Sequence, residues 1–155
     1  MELDTRHALA TLAYRLSKVL RGTPNTFRDF QIHDSVRTPG QILAHLGDLM
    51  DWALTQVQGK EQWHSSAPLP WQEEIARFFR AIEALDQKVA SDGLGAASAA
   101  RLFQGPIADA LTHTGQLALL RRVAGIPVRA ENYAKAEIVA GRVGLEQTAP
   151  RREFD

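Results

Sequence analysis

The chain has 155 residues, a length that suits one domain covering 1–155 and allows a single sizeable core. Eighteen Lys and Arg balance eighteen Asp and Glu, so no net charge draws the protein toward nucleic acid or an anionic membrane, and neither is expected as a partner. With no cysteine, disulfides, thiolate metal sites and cysteine nucleophiles are excluded, which leaves His, Asp and Glu for any metal chemistry.

The first predicted helix runs from about Leu3 to Arg21, with Leu9, Leu12, Ala13, Leu16, Val19 and Leu20 forming one apolar stripe. Gly22, Pro24 and Asn25 stop it, and a loop follows from about Thr23 to Arg37. The second helix begins at Thr38-Pro39, an N-cap followed by proline at the first helical position, and continues to about Val57. Pro68 and Pro70 set the approach to a third helix from about Trp71 to Ala90, striped by Ile75, Phe78, Phe79, Ile82, Leu85 and Val89 and ended by Asp92-Gly93. The small-residue run GLGAASAA reads as a bridge to a fourth helix from roughly Pro106 to Ala124. A shorter helical stretch is expected from about Glu131 to Gly141, before a charged tail ending RREFD. No segment reads as a strand. The expected fold is all-α: a four-helix bundle with a short C-terminal helical segment, its first connection either a plain loop or a crossover. No stretch approaches the roughly 18 apolar residues of a transmembrane helix, and the N-terminus lacks a signal-peptide run, so a cytoplasmic location is expected.

Polar residues on apolar helical stripes carry the chemical signal. Asp109 and His113 are four residues apart, hence about 40° apart on one helical face, with Gln116 and Leu120 on the same side. His45 shares a stripe with Ile42, Leu49 and Trp52 and is expected to point toward the core or a cavity lined by it. Brought together, two imidazoles and one carboxylate suit Zn²⁺, Ni²⁺ or Fe²⁺ with positions left for water or substrate. The plainer alternative is an Asp109–His113 ion pair with His45 as a core histidine. Asp48, one turn after His45, reads as a residue supporting the site's ligands, as a base for proton transfer, as a solvated helix residue or as the helix-end partner of a nearby arginine. His7 and His64 have no context favouring a role, and His33 beside Asp34 reads as surface loop. Trp52, Trp63 and Trp71 read as packing anchors, and Arg121-Arg122 as complements to the fourth helix's C-terminus. There is no Gly-rich phosphate loop and no GxSxG motif.

The stretch RTPGQILAHLGDLMDWAL resembles the second helix of DinB-superfamily proteins, which places a metal-ligating histidine near its middle. DALTHTGQLALLRRVAGIPV resembles that superfamily's fourth helix, where histidine, three residues, histidine, any residue and Gly-Gln is typical. ENYAKAEIVAGRVGLEQ is similar to the C-terminal segment of a bacterial subgroup, so the resemblance covers nearly the whole chain. It implies a DinB-like bundle in which His45 matches the first metal histidine and His113 the last, with Asp109 where histidine is usual. A carboxylate there keeps the site open to Zn, Ni, Fe or Mn. The implied activity is that of a metal-dependent transferase or hydrolase acting on a small molecule, with a low-molecular-weight thiol as cosubstrate and Gln116 orienting the site. A homodimer formed through bundle helices is also implied. The Asp109 departure supports the other reading: a non-catalytic stress-response or ligand-binding module with a degenerate site.

Overall fold

The protein, seen in a computed structural model, is described over residues 4–154; Leu3, where the first helix is expected to begin, and Asp155 at the end of the tail lie outside them. The described chain is mostly helical. Helix α1 spans Thr5–Leu20, capped by the Asp4 side chain accepting from the His7 amide. Helix α2 spans Pro39–Val57 and starts as expected: Thr38 and Gln41 exchange side-chain and backbone hydrogen bonds in a capping box. Helix α3, Trp71–Asp92, ends at Gly93, whose φ of +69° is a backbone state that glycine adopts without a Cβ penalty.

The fourth helical region starts earlier than its sequence suggests. Helix α4, Ala96–Leu102, passes through a π-helical turn, Phe103–Ile107, into helix α5, Ala108–Val123. Thus the run AASAARL is helix rather than bridge. Pro106 explains the turn: it lacks an N–H and its ring would strike the carbonyl one turn back, so the backbone widens and the Ala108 N–H reaches Phe103 O. The widened turn lies two residues before Asp109 and fixes the face on which that residue emerges.

The long helices close around one core. Leu9, Leu12 and Leu16 of α1, Leu43, Leu46 and Met50 of α2, Phe78, Ile82 and Leu85 of α3, and Leu117 of α5 are fully buried. Helix α1 packs on α3 and α5, and α2 packs on α3 and α5, so the consecutive helices α1 and α2 are not principal neighbours. The connection through residues 21–38 is therefore a crossover. It is held by the buried Phe27, which meets Trp71 edge-on at 5.7 Å, and by the Trp71 indole donating to Thr23 Oγ1 at 2.8 Å. Buried Arg121 does not serve the end of its own helix alone. Its guanidinium donates to Val19 O and Arg21 O at the C-terminus of α1 and to Ile126 O, satisfying carbonyls that α1 leaves open.

Residues after Ile126 do not form the expected helix over 131–141. They hold a two-residue strand β1, Ala130–Glu131, a 3₁₀ turn at Tyr133–Lys135, and a strand β2, Glu153–Phe154, antiparallel to β1. Tertiary contacts override a weak local pattern here, because a short helix without a good packing face has little stability of its own. Glu131 is instead drawn against α1, where it accepts from Tyr14 Oη at 2.7 Å and from Lys18 Nζ at 3.0 Å. Lys18 also reaches Glu153 at 2.9 Å, so one ammonium fastens both strands. Burial works against the Lys18 charge, but hydrogen bonds to Glu153 and Glu131 outweigh it and raise its pKa above 10.5. Arg15 lies over the Tyr133 ring at 4.1 Å and Val143 enters the core, so the segment lies along α1 for much of its length.

The α2–α3 contact turns on Arg77. Its guanidinium donates to Ala44 O, Asp48 and Asp51 on α2 and to Glu74 on α3. It can approach so closely because residue 47 is glycine: a Cβ there would stand 2.6 Å from Arg77 Nη1 and 2.8 Å from Cζ.

Two outcomes follow for stability. Lys18→Met leaves Glu131 buried without a cation and is expected to cost about 3 kcal/mol in urea unfolding at neutral pH. That contribution is fully present below pH 10.5 and is lost as pH rises through the raised pKa of Lys18. Gly47→Ala is expected to cost about 1–3 kcal/mol, since the new methyl group forces a guanidinium with four partners to move. An unchanged urea midpoint in either variant would show that these contacts do not hold the helices as described.

Candidate metal centre

His45 stands at mid-α2, and Asp109 and His113 lie one turn apart on α5. The packing of α2 on α5 brings all three together across 64 residues of sequence. His45 Nε2 is 3.3 Å from Asp109 Oδ2, and His113 Nε2 is 3.4 Å from Asp109 Oδ1. The two imidazoles meet edge-on with centroids 4.8 Å apart. One ligand atom from each of the three residues lies within 4.8 Å of the others, a spacing that a single ion can bridge. The residues expected to meet do meet.

The donor set fits a divalent cation. Gln116 Oε1 lies 2.7 Å from His113 Nδ1, which holds the ring with Nε2 facing Asp109 Oδ1 at 3.4 Å. Asp109 offers acceptors only, and its side chain is 45% exposed, leaving one side of the cluster open. Burial lowers the pKa of His45 from its ordinary 6.5; the Asp109 hydrogen bond opposes this in part, while His113 and Arg37 add to it. The favoured form of His45 is therefore neutral, as a metal ligand requires. Trp63, 45% exposed, lies edge-on against His45 at 5.7 Å and against Trp52 at 5.9 Å, covering the imidazole from the loop between α2 and α3. The sequence reading took Trp63 for a packing anchor; only Trp71 of the three tryptophans is fully buried.

Gln116 joins the cluster through His113, as expected. Asp48 does not. Its buried carboxylate accepts from Arg77 Nη2, from the Ser66 amide and hydroxyl at 2.8 and 2.7 Å, and faces His64 Nε2 at 3.1 Å. With both oxygens so engaged, Asp48 is an arginine partner, one of the roles its sequence left open. His64, which carried no signal in sequence, makes a second group with Asp48 and Asp51 whose ligand atoms are also close. Arg77 already supplies the positive charge there.

Trp52, Gln56 and Arg101 line a cavity of about 480 Å³ at the π-helical turn. A second cavity, of about 430 Å³, borders His113 and Gln116, with an apolar lining from Ile32, Val36, Ile42, Leu119 and Leu120. Both volumes fall in the range of small-molecule sites, about 300–1,000 Å³. His33 stays at the surface, bonded to Ser35. Among the described residues, no helix is long and apolar enough to cross a membrane. No family model, no curated protein and no solved structure matches the chain.

In metal-free protein the His45 ring is expected to titrate below pH 6.5, read from its Hε1 signal by NMR. Because the folded protein then binds fewer protons than the unfolded chain, its stability falls as pH drops below 6.5. Trp63→Ala exposes the ring and moves the midpoint upward; an unchanged midpoint would mean that Trp63 does not shield His45.

Proposed function

We propose that this chain is a metal-dependent enzyme of the DinB superfamily, its helices forming a DinB-like four-helix bundle and its cleft acting on a small molecule. The observation that carries this reading is the meeting of His45, Asp109 and His113 from two helices, with ligand atoms within 4.8 Å of one another. The family assignment rests on the residues of the two motifs and on the agreement between their spacing and this geometry. A divalent transition metal (Zn, Ni, Fe or Mn) bound there would supply Lewis acidity, lowering the pKa of a water or of a substrate thiol.

The chain's own residues prepare that chemistry. Gln116 holds the His113 ring at Nδ1 with Nε2 turned toward Asp109. Trp63 keeps water from one side of His45 and helps hold the ring neutral. Asp109, reached from solvent, sits where an incoming substrate first meets the centre. The cavity that borders His113 offers room for a substrate, and the cavity at the π-helical turn offers room for a cosubstrate such as a low-molecular-weight thiol. A transferase or a hydrolase are the two reactions this arrangement serves.

One observation favours a non-catalytic ligand-binding module instead: Asp109 contacts both imidazoles directly and can close a triad without a metal. Homodimer formation is a further part of the proposal, supported by Val123, which is more than half exposed at the end of α5.

Elemental analysis of untagged protein separates these readings. Near-stoichiometric transition metal in the wild type, lost in His113→Ala and Asp109→Ala, is the expected result. It would justify screens with thiol cosubstrates and with small esters and amides. No metal after incubation with Zn²⁺, Ni²⁺, Fe²⁺ and Mn²⁺ would overturn the enzyme reading in favour of the binding module.

A further inference from the structure

The cavity beside His113 has a composition that selects its ligand. Five aliphatic side chains line it, and Arg37 stands at its edge. Arg37 is exposed and has no hydrogen-bond or ion-pair partner among the described residues, in contrast to Arg77 and Arg121, whose guanidinium groups are fully engaged. No carboxylate lines this cavity; its only ionisable groups are Arg37 and His113. Ser35, Arg37, His113 and Gln116 supply the polar groups of the lining, and the remainder is hydrocarbon.

We infer that this cavity is a binding site for a small amphiphilic anion, a carboxylate or phosphate carried on an aliphatic or aromatic body, with the anion paired to Arg37 and the body laid against Ile32, Val36 and Leu119. A guanidinium with no internal partner offers paired N–H donors matched to carboxylate or phosphate oxygens. The apolar lining supplies affinity that scales with the buried hydrocarbon of the ligand, so neither a bare anion nor a neutral chain satisfies both parts. As a statement of binding, this holds with or without a metal ion. As a statement of substrate class it rests on the enzyme reading, because it places one end of the bound molecule beside His113 and Gln116.

The test uses octanoate as probe, octan-1-ol and acetate as controls, and full-length protein stripped with chelator. Binding is followed by ¹H–¹⁵N NMR. Octanoate is expected to bind, to shift the amides of residues 32–37 and 116–120, and to bind at least ten-fold more tightly than either control. Arg37→Gln, at an exposed position that leaves the fold intact, is expected to weaken octanoate about ten-fold and to leave octan-1-ol unchanged. Leu119→Asp should weaken both. Equal binding of octan-1-ol, indifference to Arg37→Gln, or shifts centred on Trp52 and Arg101 would overturn the proposal. So would a doubled mass in solution with the Leu119 amide protected, which would assign this face to a second copy of the chain. Because the protein is metal-free throughout, failure here is distinct from failure to find a metal, which elemental analysis reads separately.

Discussion

The rotation of α2 about its own axis decides what the rest of the structure can do, and Arg77 sets that rotation. Ala44, Asp48 and Asp51 lie on one face of α2, and all three bond the same guanidinium. His45 lies about 100° further round from Ala44, on the face shared with Ile42, Leu49 and Trp52. Fixing the first face against α3 therefore directs the second toward α5. Gly47 permits the approach and Glu74 carries the lock into α3, so the site's geometry depends on contacts outside the site.

A similar economy ties the chain's end to its start. Tyr14 and Lys18 on one face of α1 hold Glu131 and Glu153, and Arg121 on α5 receives the last carbonyls of α1. Burial and the Glu131 hydrogen bond push the Tyr14 pKa upward, which keeps its hydroxyl a donor. These buried polar contacts add less net stability than hydrophobic packing, since desolvation offsets most of the gain. They confer specificity: a C-terminal segment with no long helix would otherwise have many ways to lie on the surface.

The parts legible in sequence were those governed by local rules. Caps, proline positions and helical stripes marked α1, α2 and α3 closely, and the i,i+4 relation of Asp109 and His113 holds in the structure. Long-range demands decided the rest. The π-helical turn at Pro106 joins two helical stretches that a proline appears to separate, so AASAARL read as a bridge. The 131–141 segment has helix-forming residues, yet Glu131 is claimed by Lys18, 113 residues away in sequence. Asp48 sits one turn from His45, but the direction of its carboxylate depended on Arg77 and Ser66, neither of which periodicity connects to it. His64 gave no signal, and Trp63 read only as a packing anchor, because both lie in a loop, where no repeat assigns a face.

Comparison of the three polar clusters supplies the strongest argument about the site. Asp48, Asp51 and Glu74 surround Arg77, and Glu131 and Glu153 surround Lys18, so each group of carboxylates has a cation built into the chain. Asp109 differs: no Lys or Arg pairs with it among the described residues, and it faces two imidazoles. One of those rings is held at Nδ1 by Gln116 with Nε2 facing a carboxylate oxygen, and burial disfavours charge on the other. Asp109 thus lacks the built-in cation that the other two clusters have. Natural chains keep local conflicts of this kind mainly where a ligand resolves them. A divalent ion is a partner whose charge and preference for imidazole and carboxylate ligands would answer that deficit, with His45, Asp109 and His113 the residues that would hold it.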